Sequence, residues 1–188
     1  MDKSGKLAKT AREIERCRIC KKNKSGKAVV GEGNPDAKIV FIGEAPGKKE
    51  AETGRPFVGR SGQLLRRLIR DTGLKEEDVY ITSPVKYLPN RGTPTSLDVI
   101  HGKGHLDKQL EIINPQIIVL LGNVAVQGVL GKKIPVVFSH GNIIEKDERR
   151  YFITLHPAAA LRFAKNKPIL VSDFQKLKNT LKSQNVVQ

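Results

Sequence analysis

The sequence predicts an α/β fold, a three-layer α/β/α sandwich around a mainly parallel sheet. Short apolar runs such as Ile117 to Leu121 and the stretch KIVFIG at 38–43 read as strands buried on both faces. Between them lie segments whose apolar residues recur at helical spacing. The two kinds alternate along the chain, as crossover connections within a parallel sheet require. With 188 residues and no internal repeat or low-complexity linker, one domain spanning 1–188 is expected.

Taken in order, residues 1–28 hold ten Lys or Arg against Asp2, Glu13 and Glu15. This basic segment is expected to be partly flexible, with its first dozen residues frayed. The strand at 38–43 enters a Gly/Pro loop. GQLLRRLIRD, from Gly62 to Asp71, puts Leu64, Leu65, Leu68 and Ile69 on one helical face before Gly73 stops it. Val79 to Thr82 reads as a second strand. Leu106 to Ile113 reads as a helix ended by Pro115, and Ile117 to Leu121 as the central strand. Asn123 stands where a helix N-cap belongs, before VAVQGVL and its Gly131 stop. Val136 to Ile144 is expected to pair with Tyr151 to Leu155. Ser172 and Asp173 are placed to cap a last helix, DFQKLKNTLKSQ. Ligands of such sheets bind beyond the carboxyl ends of the strands. The loops Gly43–Gly62, Ser83–Arg91, the turn after Gly122 and His156–Lys167 are therefore expected at one edge.

Lys and Arg total 34 against 19 Asp and Glu, a net charge of +15. Such an excess points to a polyanion, nucleic acid first, with a merely basic soluble surface as the alternative. No run is long enough to span a membrane, and the N-terminus has no apolar core of a secretory signal. With two cysteines a disulfide framework is excluded, and a cytoplasmic protein is expected.

The loop GEAPGKKEAETGRPFVGRSG follows a strand and precedes a helix, as phosphate loops do. It has neither the Gly-Lys-Ser/Thr ending nor the G-x-G-x-x-G fingerprint, so no nucleotide cofactor is expected. It offers carboxylates, among them Glu44, and one aromatic, Phe57, which suits either a stacking platform or a loop anchor. His156, at a strand end and fixed by Pro157, can project into the same cleft. There Glu44 can position or activate a water while His156 stabilises negative charge on a leaving group.

GEAPG, then GRPFVGRSGQLL, then HPAAAL, with VYITSPVK between them, resembles the family-4 uracil-DNA glycosylases over roughly residues 12–182. The resemblance implies a four-stranded, mainly parallel sheet and hydrolysis of the N-glycosidic bond of uracil, or another deaminated base, flipped out of DNA. It implies that Glu44 holds the attacking water, that Phe57 stacks on the base and that His156 steadies the leaving anion. Ala45 and Ser83 join Phe57 as base-binding residues, and Leu161 and Arg162 fall in the loop that wedges into DNA. A monomer acting on DNA is expected. The alternative is a protein that binds damaged bases with little or no turnover.

The chain departs from that family at two places. Ser83 stands where an asparagine amide reads the uracil edge, and a hydroxyl offers a single proton instead. Ala51 replaces an acidic residue nearby. The family's [4Fe–4S] cluster takes four cysteines; Cys17 and Cys20 match two, while Tyr87 and Gly102 stand at the others. His101 and His105 lie beside the missing fourth position. Cys17, Cys20, His101 and His105 make a Cys2His2 set suited to one structural zinc, favoured here over an iron–sulfur cluster. The competing expectation is a lost cluster that leaves two inert thiols and two surface histidines.

Overall fold

The apolar runs form the strands assigned to them. The computed structural model describes residues 1–147 and 149–183. In chain order the elements are α1 (Lys3–Arg16), α2 (Arg18–Lys21), β1 (Lys24–Ser25), β2 (Glu32–Gly33), β3 (Ile39–Ile42), α3 (Lys48–Thr53) and α4 (Arg60–Asp71). There follow β4 (Val79–Thr82), β5 (Leu88–Pro89), α5 (Ser96–Ile113), β6 (Ile117–Leu121), α6 (Asn123–Leu130) and α7 (Val136–Ser139). The chain closes with β7 (Ile143–Lys146), β8 (Arg149–Thr154), α8 (Pro157–Arg162) and α9 (Asn166–Ser183).

The main sheet runs β2-β4-β3-β6-β8-β7. Its inner strands β4, β3, β6 and β8 are mutually parallel, the expected four, and β3, β4 and β6 are buried along their whole length. An antiparallel strand lies at each edge, β2 on β4 and β7 on β8, so the sheet has six strands rather than four. Neither edge strand carries a buried apolar run, which is why the sequence does not announce them. Helices α4, α8 and α9 pack on one another, and α1 and α6 each pack on α5, giving the two helical layers. The register is Ile42 opposite Thr82 and Leu120, and Leu121 opposite Thr154. Gly43, Ser83, Gly122 and Leu155 therefore leave the sheet at one edge.

Several expectations are corrected. The first dozen residues are not frayed: Asp2 caps α1, accepting from the Gly5 amide at 2.9 Å, and Leu7, Thr10 and Ile14 are buried. Amphipathic burial outweighs the repulsion of the basic residues there. Helix α5 begins ten residues before Leu106, at a capping box in which the Thr95 hydroxyl accepts from the Asp98 amide while the Asp98 carboxylate accepts from Thr95. Val136 to Ile144 is not one strand. Val136–Ser139 is a single helical turn behind Pro135, and Gly141, in the left-handed region at φ +73°, breaks the chain before β7. Asn123 is the first residue of α6 rather than its cap, and its Oδ1 accepts from the Val136 amide at 3.0 Å. Helix α9 starts at Asn166, so Ser172 and Asp173 are interior, and Asp173 is buried. The final Gln184 of the expected helix lies outside the described residues.

Ile14 is fully buried in a small second core with Cys20 and Tyr87. Ile14→Ala should therefore cost roughly 2–5 kcal/mol in chemical denaturation. A loss within experimental error would show that α1 does not dock on the body.

Candidate functional site

The loop after β3 begins with the Gly43 amide donating to the Thr82 carbonyl at 2.9 Å and ends by wrapping onto α4. Phe57 sits at its tip with φ +52°, a left-handed conformation unusual for an aromatic residue. Two clamps hold it there. Arg66 donates to the carbonyls of Phe57 and Pro56, each at 3.0 Å, while its guanidinium pairs with Glu32 at 2.6 Å and Glu76 at 2.7 Å. Beyond Phe57, one oxygen of Glu50 accepts from the amides of Val58 at 2.8 Å and Gly59 at 2.7 Å. That carboxylate lies at the N-terminus of α4, where the helix dipole favours it. Gly62 lets the first turn of α4 press on the loop, since a Cβ there would lie 2.0 Å from the Phe57 carbonyl oxygen.

The clamped Phe57 ring rests on Gly43. A Cβ at that residue would approach Phe57 Cζ to 2.5 Å, so only glycine admits the ring. Across Gly43 the ring faces His156, with centroids 5.7 Å apart and planes at 29°. His156 is the N-cap of α8, and its Nδ1 accepts from the Ala158 amide at 3.1 Å. An accepting Nδ1 places the proton of the neutral ring on Nε2, the nitrogen nearer Gly43. Burial pushes the imidazole down to about 4, so the ring is neutral at physiological pH. Gly122, at φ +87°, passes close behind it: a Cβ would stand 3.0 Å from the His156 Cβ.

Glu44, Gly122 and His156 line one cavity of about 420 Å³. Desolvation alone raises the Glu44 carboxyl above the ordinary carboxylate range, and no protein group among the described residues hydrogen-bonds it. Ala45 is half-buried beside it. Ser83 is buried next to β4, outside the residues that line this cavity, and its hydroxyl donates to the Val85 carbonyl at 2.8 Å. Its proton is thus spent within its own loop, leaving oxygen lone pairs to accept. Leu161 and Arg162 are exposed and flank a second groove with Lys48, Lys49 and Arg60. His156 is brought into one cavity with Glu44 and face to face with Phe57, while Leu161 and Arg162 line the separate groove. Arg66 was not singled out from the sequence and Glu50 only as a nearby acid; both look like residues of a solvated face.

The second cluster joins the N-terminal segment to α5. The ligand atoms of Cys17, Cys20, His101 and His105 all lie within 4.8 Å of one another. Cys17 Sγ is 3.2 Å from His101 Nε2, and His105 Nδ1 is buried with no hydrogen-bond partner among the described residues. Burial pushes the Cys20 thiol up to about 12, with the neighbouring Cys17 adding to the effect. A four-thiolate site does not fit these residues. Tyr87 fills the third position as a core side chain, and at Gly102 a Cβ would meet the Pro84 carbonyl oxygen at 2.1 Å. The set present, two sulfurs and two imidazoles, suits a single tetrahedral ion.

The model of the uracil DNA glycosylase superfamily matches residues 30–181 of the chain. The type-4 uracil-DNA glycosylase of Thermotoga maritima is 41% identical over 177 residues, covering 91% of this chain and 92% of that protein. The enzyme of the same name from Saccharolobus solfataricus is 38% identical over 196 residues, covering 99% and 90%. A type-5 uracil-DNA glycosylase from Pyrobaculum aerophilum is 31% identical over 152 residues, covering 71% and 66%.

The geometry at His156 is open to direct measurement. Nitrogen-15 NMR should show a protonated Nε2 and a bare Nδ1, with protonation near pH 4 rather than near the ordinary 6.5. Because the folded value is depressed, this group's contribution to stability is whole above the ordinary value and is lost as pH falls through about 4. A resonance titrating near 6.5 would contradict the enclosure described here.

Proposed function

Since the chain belongs to the uracil DNA glycosylase superfamily, in its type-4 branch, we propose that it removes uracil from DNA, hydrolysing the N-glycosidic bond and leaving an abasic site. The observation that carries this reading is the arrangement around Gly43: a neutral histidine with its proton on Nε2, an aromatic ring opposite it, and a half-buried carboxylate lining the same cavity as the histidine. An excised base must leave the helix stack, rest against a ring and depart as an anion. Phe57 supplies the ring. Ionised Glu44 holds a water by accepting a hydrogen bond from it. As the C1′–N1 bond breaks, the bonding electrons go to the base, and Nε2–H of His156 donates to the base oxygen where that charge collects. Water oxygen bonds C1′, and its proton passes to Glu44.

Ser83, left as an acceptor, suits the ring N–H that deamination creates on cytosine and on adenine, which extends the reading to uracil or another deaminated base. Ala45 completes the base pocket. Leu161 and Arg162 enter the duplex, and Lys48, Lys49 and Arg60 across the groove meet phosphates. The partner in this reading is DNA, engaged by a single-domain cytoplasmic monomer with no nucleotide cofactor. The net charge of +15 supports the DNA partner, and no helix among the described residues is long and apolar enough to cross a membrane.

One zinc held by Cys17, Cys20, His101 and His105 completes the reading. The ion would be structural, closing four ligands and tying the α1–α2 corner to α5. It would also offset the cost of ionising the buried Cys20 thiol.

Glu44→Gln and His156→Ala should each lower uracil excision by about 10²-fold or more, read as alkali-labile cleavage, while DNA affinity changes only a few-fold. Excision by the native protein should fall with acid as Glu44 gains its proton, through a point raised above the ordinary carboxylate value by burial. Near-native excision by either variant would remove that residue from the mechanism.

Protein purified without added metal should carry about one zinc per chain and no brown iron–sulfur absorption, and His105→Ala should lose the zinc. Stoichiometric iron and sulfide would overturn the zinc assignment, and a metal-free protein of undiminished stability would make the cysteines a remnant.

A further inference from the structure

Glu44 and His156 line only part of their cavity of about 420 Å³. The remaining wall includes Pro94, Val137, Phe163 and Ile169, with Thr93, Asn123 and two further polar side chains, His140 and Asn166. The last two are fixed. Asp173, 1% exposed, lies 3.0 Å from His140 Nδ1 through one carboxylate oxygen and accepts from the Thr154 hydroxyl at 2.7 Å through the other. Gly141 makes that approach possible, since a Cβ there would lie 2.7 Å from the same Asp173 oxygen. His140 is left with Nε2 as its free ring nitrogen. Asn166 donates from Nδ2 to the Ala159 carbonyl at 3.3 Å, which leaves its side-chain oxygen to accept. Phe163 is 49% exposed, with the Arg162 guanidinium 5.4 Å from its ring centroid.

An apolar wall with an exposed aromatic and a few immobile polar groups is the composition that holds a nucleobase, which needs ring faces covered and one edge satisfied. A phosphate would call for cations, and no Lys or Arg is among the residues lining the cavity. The wall is continuous with the catalytic pair, and a strand delivering one flipped nucleotide brings its neighbour alongside. We propose that this wall is a second base subsite, which seats the nucleobase adjacent to the flipped one in the same strand, against Phe163 with its edge at His140 and Asn166. The proposal rests on the DNA-glycosylase reading above.

The test uses the whole protein and a single-stranded oligonucleotide carrying a 2′-fluorinated deoxyuridine that resists cleavage. Two further oligonucleotides replace the 5′ or the 3′ neighbour by an abasic tetrahydrofuran. Binding by fluorescence anisotropy should weaken about tenfold for one of the two, the worth of a single base–aromatic stack. Phe163→Ala should weaken binding of the parent oligonucleotide by a similar factor and abolish the difference between parent and abasic versions. His140→Asn should reduce that difference. Equal affinity for all three oligonucleotides, or a Phe163→Ala loss that is the same on each, would overturn the subsite. Excision from the uracil-containing parent is measured in parallel: its absence defeats the glycosylase reading, whereas excision without any neighbour effect defeats only the subsite.

Discussion

With Ile42 opposite Thr82 and Leu120, and Leu121 opposite Thr154, the parallel strands β4, β3, β6 and β8 end in step, and the chain must turn at one edge four times. At two of these turns the first residue is glycine. The Gly43 amide donates to the Thr82 carbonyl and the Gly122 amide to the Thr154 carbonyl, each at 2.9 Å, so both turns are welded to the neighbouring strand. The missing Cβ atoms then set the distances that matter, the Phe57 ring on Gly43 and the His156 side chain on Gly122. Close packing at a strand edge, rather than any single hydrogen bond, brings carboxylate, ring and imidazole together.

Preorganisation at this edge has a cost that is met elsewhere. A left-handed Phe57 is unfavourable by about 1–2 kcal/mol on its own. Around it stand two Arg66 bonds to carbonyls, the Arg66 pairs with Glu32 and Glu76, and two amides on Glu50. Arg66 is largely buried, and charge-assisted bonds in such surroundings contribute more than their exposed counterparts. The ring is therefore held in place before any ligand arrives. His156 follows the same logic: the bond that caps α8 also selects its tautomer, so a structural requirement and a chemical one are met by one nitrogen.

What was legible in the sequence followed from burial and local spacing. Strands β3 and β6 are wholly apolar, and β4 nearly so, because both faces are covered, and Glu44, Phe57 and His156 stood out because glycine and proline fix the backbone around them. The edge strands were not legible, since Glu32–Gly33 pairs through backbone alone. Val136–Ser139 misleads because its β-branched residues suit a strand, while Pro135, Gly141 and the Asn123 side chain settle a helical turn. Asp173 resembled a helix cap and is instead a buried acceptor for Thr154 and His140, a pairing that exists only once β8 and α9 have packed. Ser83 could be read as a lost amide, but its bond to the Val85 carbonyl depends on the turn that follows.

The Cys–His group and the loop carrying Ser83 meet at Pro84. Gly102 packs so tightly on the Pro84 carbonyl that no side chain fits there, which bars a ligand at that position of α5. His101 and His105, one helical turn apart, share a face of the same helix and reach Cys17 and Cys20 from beside the obstruction. Longer imidazole side chains thus replace a thiol at a point where the helix is pressed against the loop carrying Ser83. Contact between the N-terminal segment and α5 is kept through Cys17 and His101, and the helix can approach the loop carrying Ser83 more closely than a cysteine at position 102 would allow. The residue at position 102 and the packing of the Ser83 loop are therefore one constraint: a Cβ on residue 102 would press on the Pro84 carbonyl, next to Ser83, at the edge where the strands end.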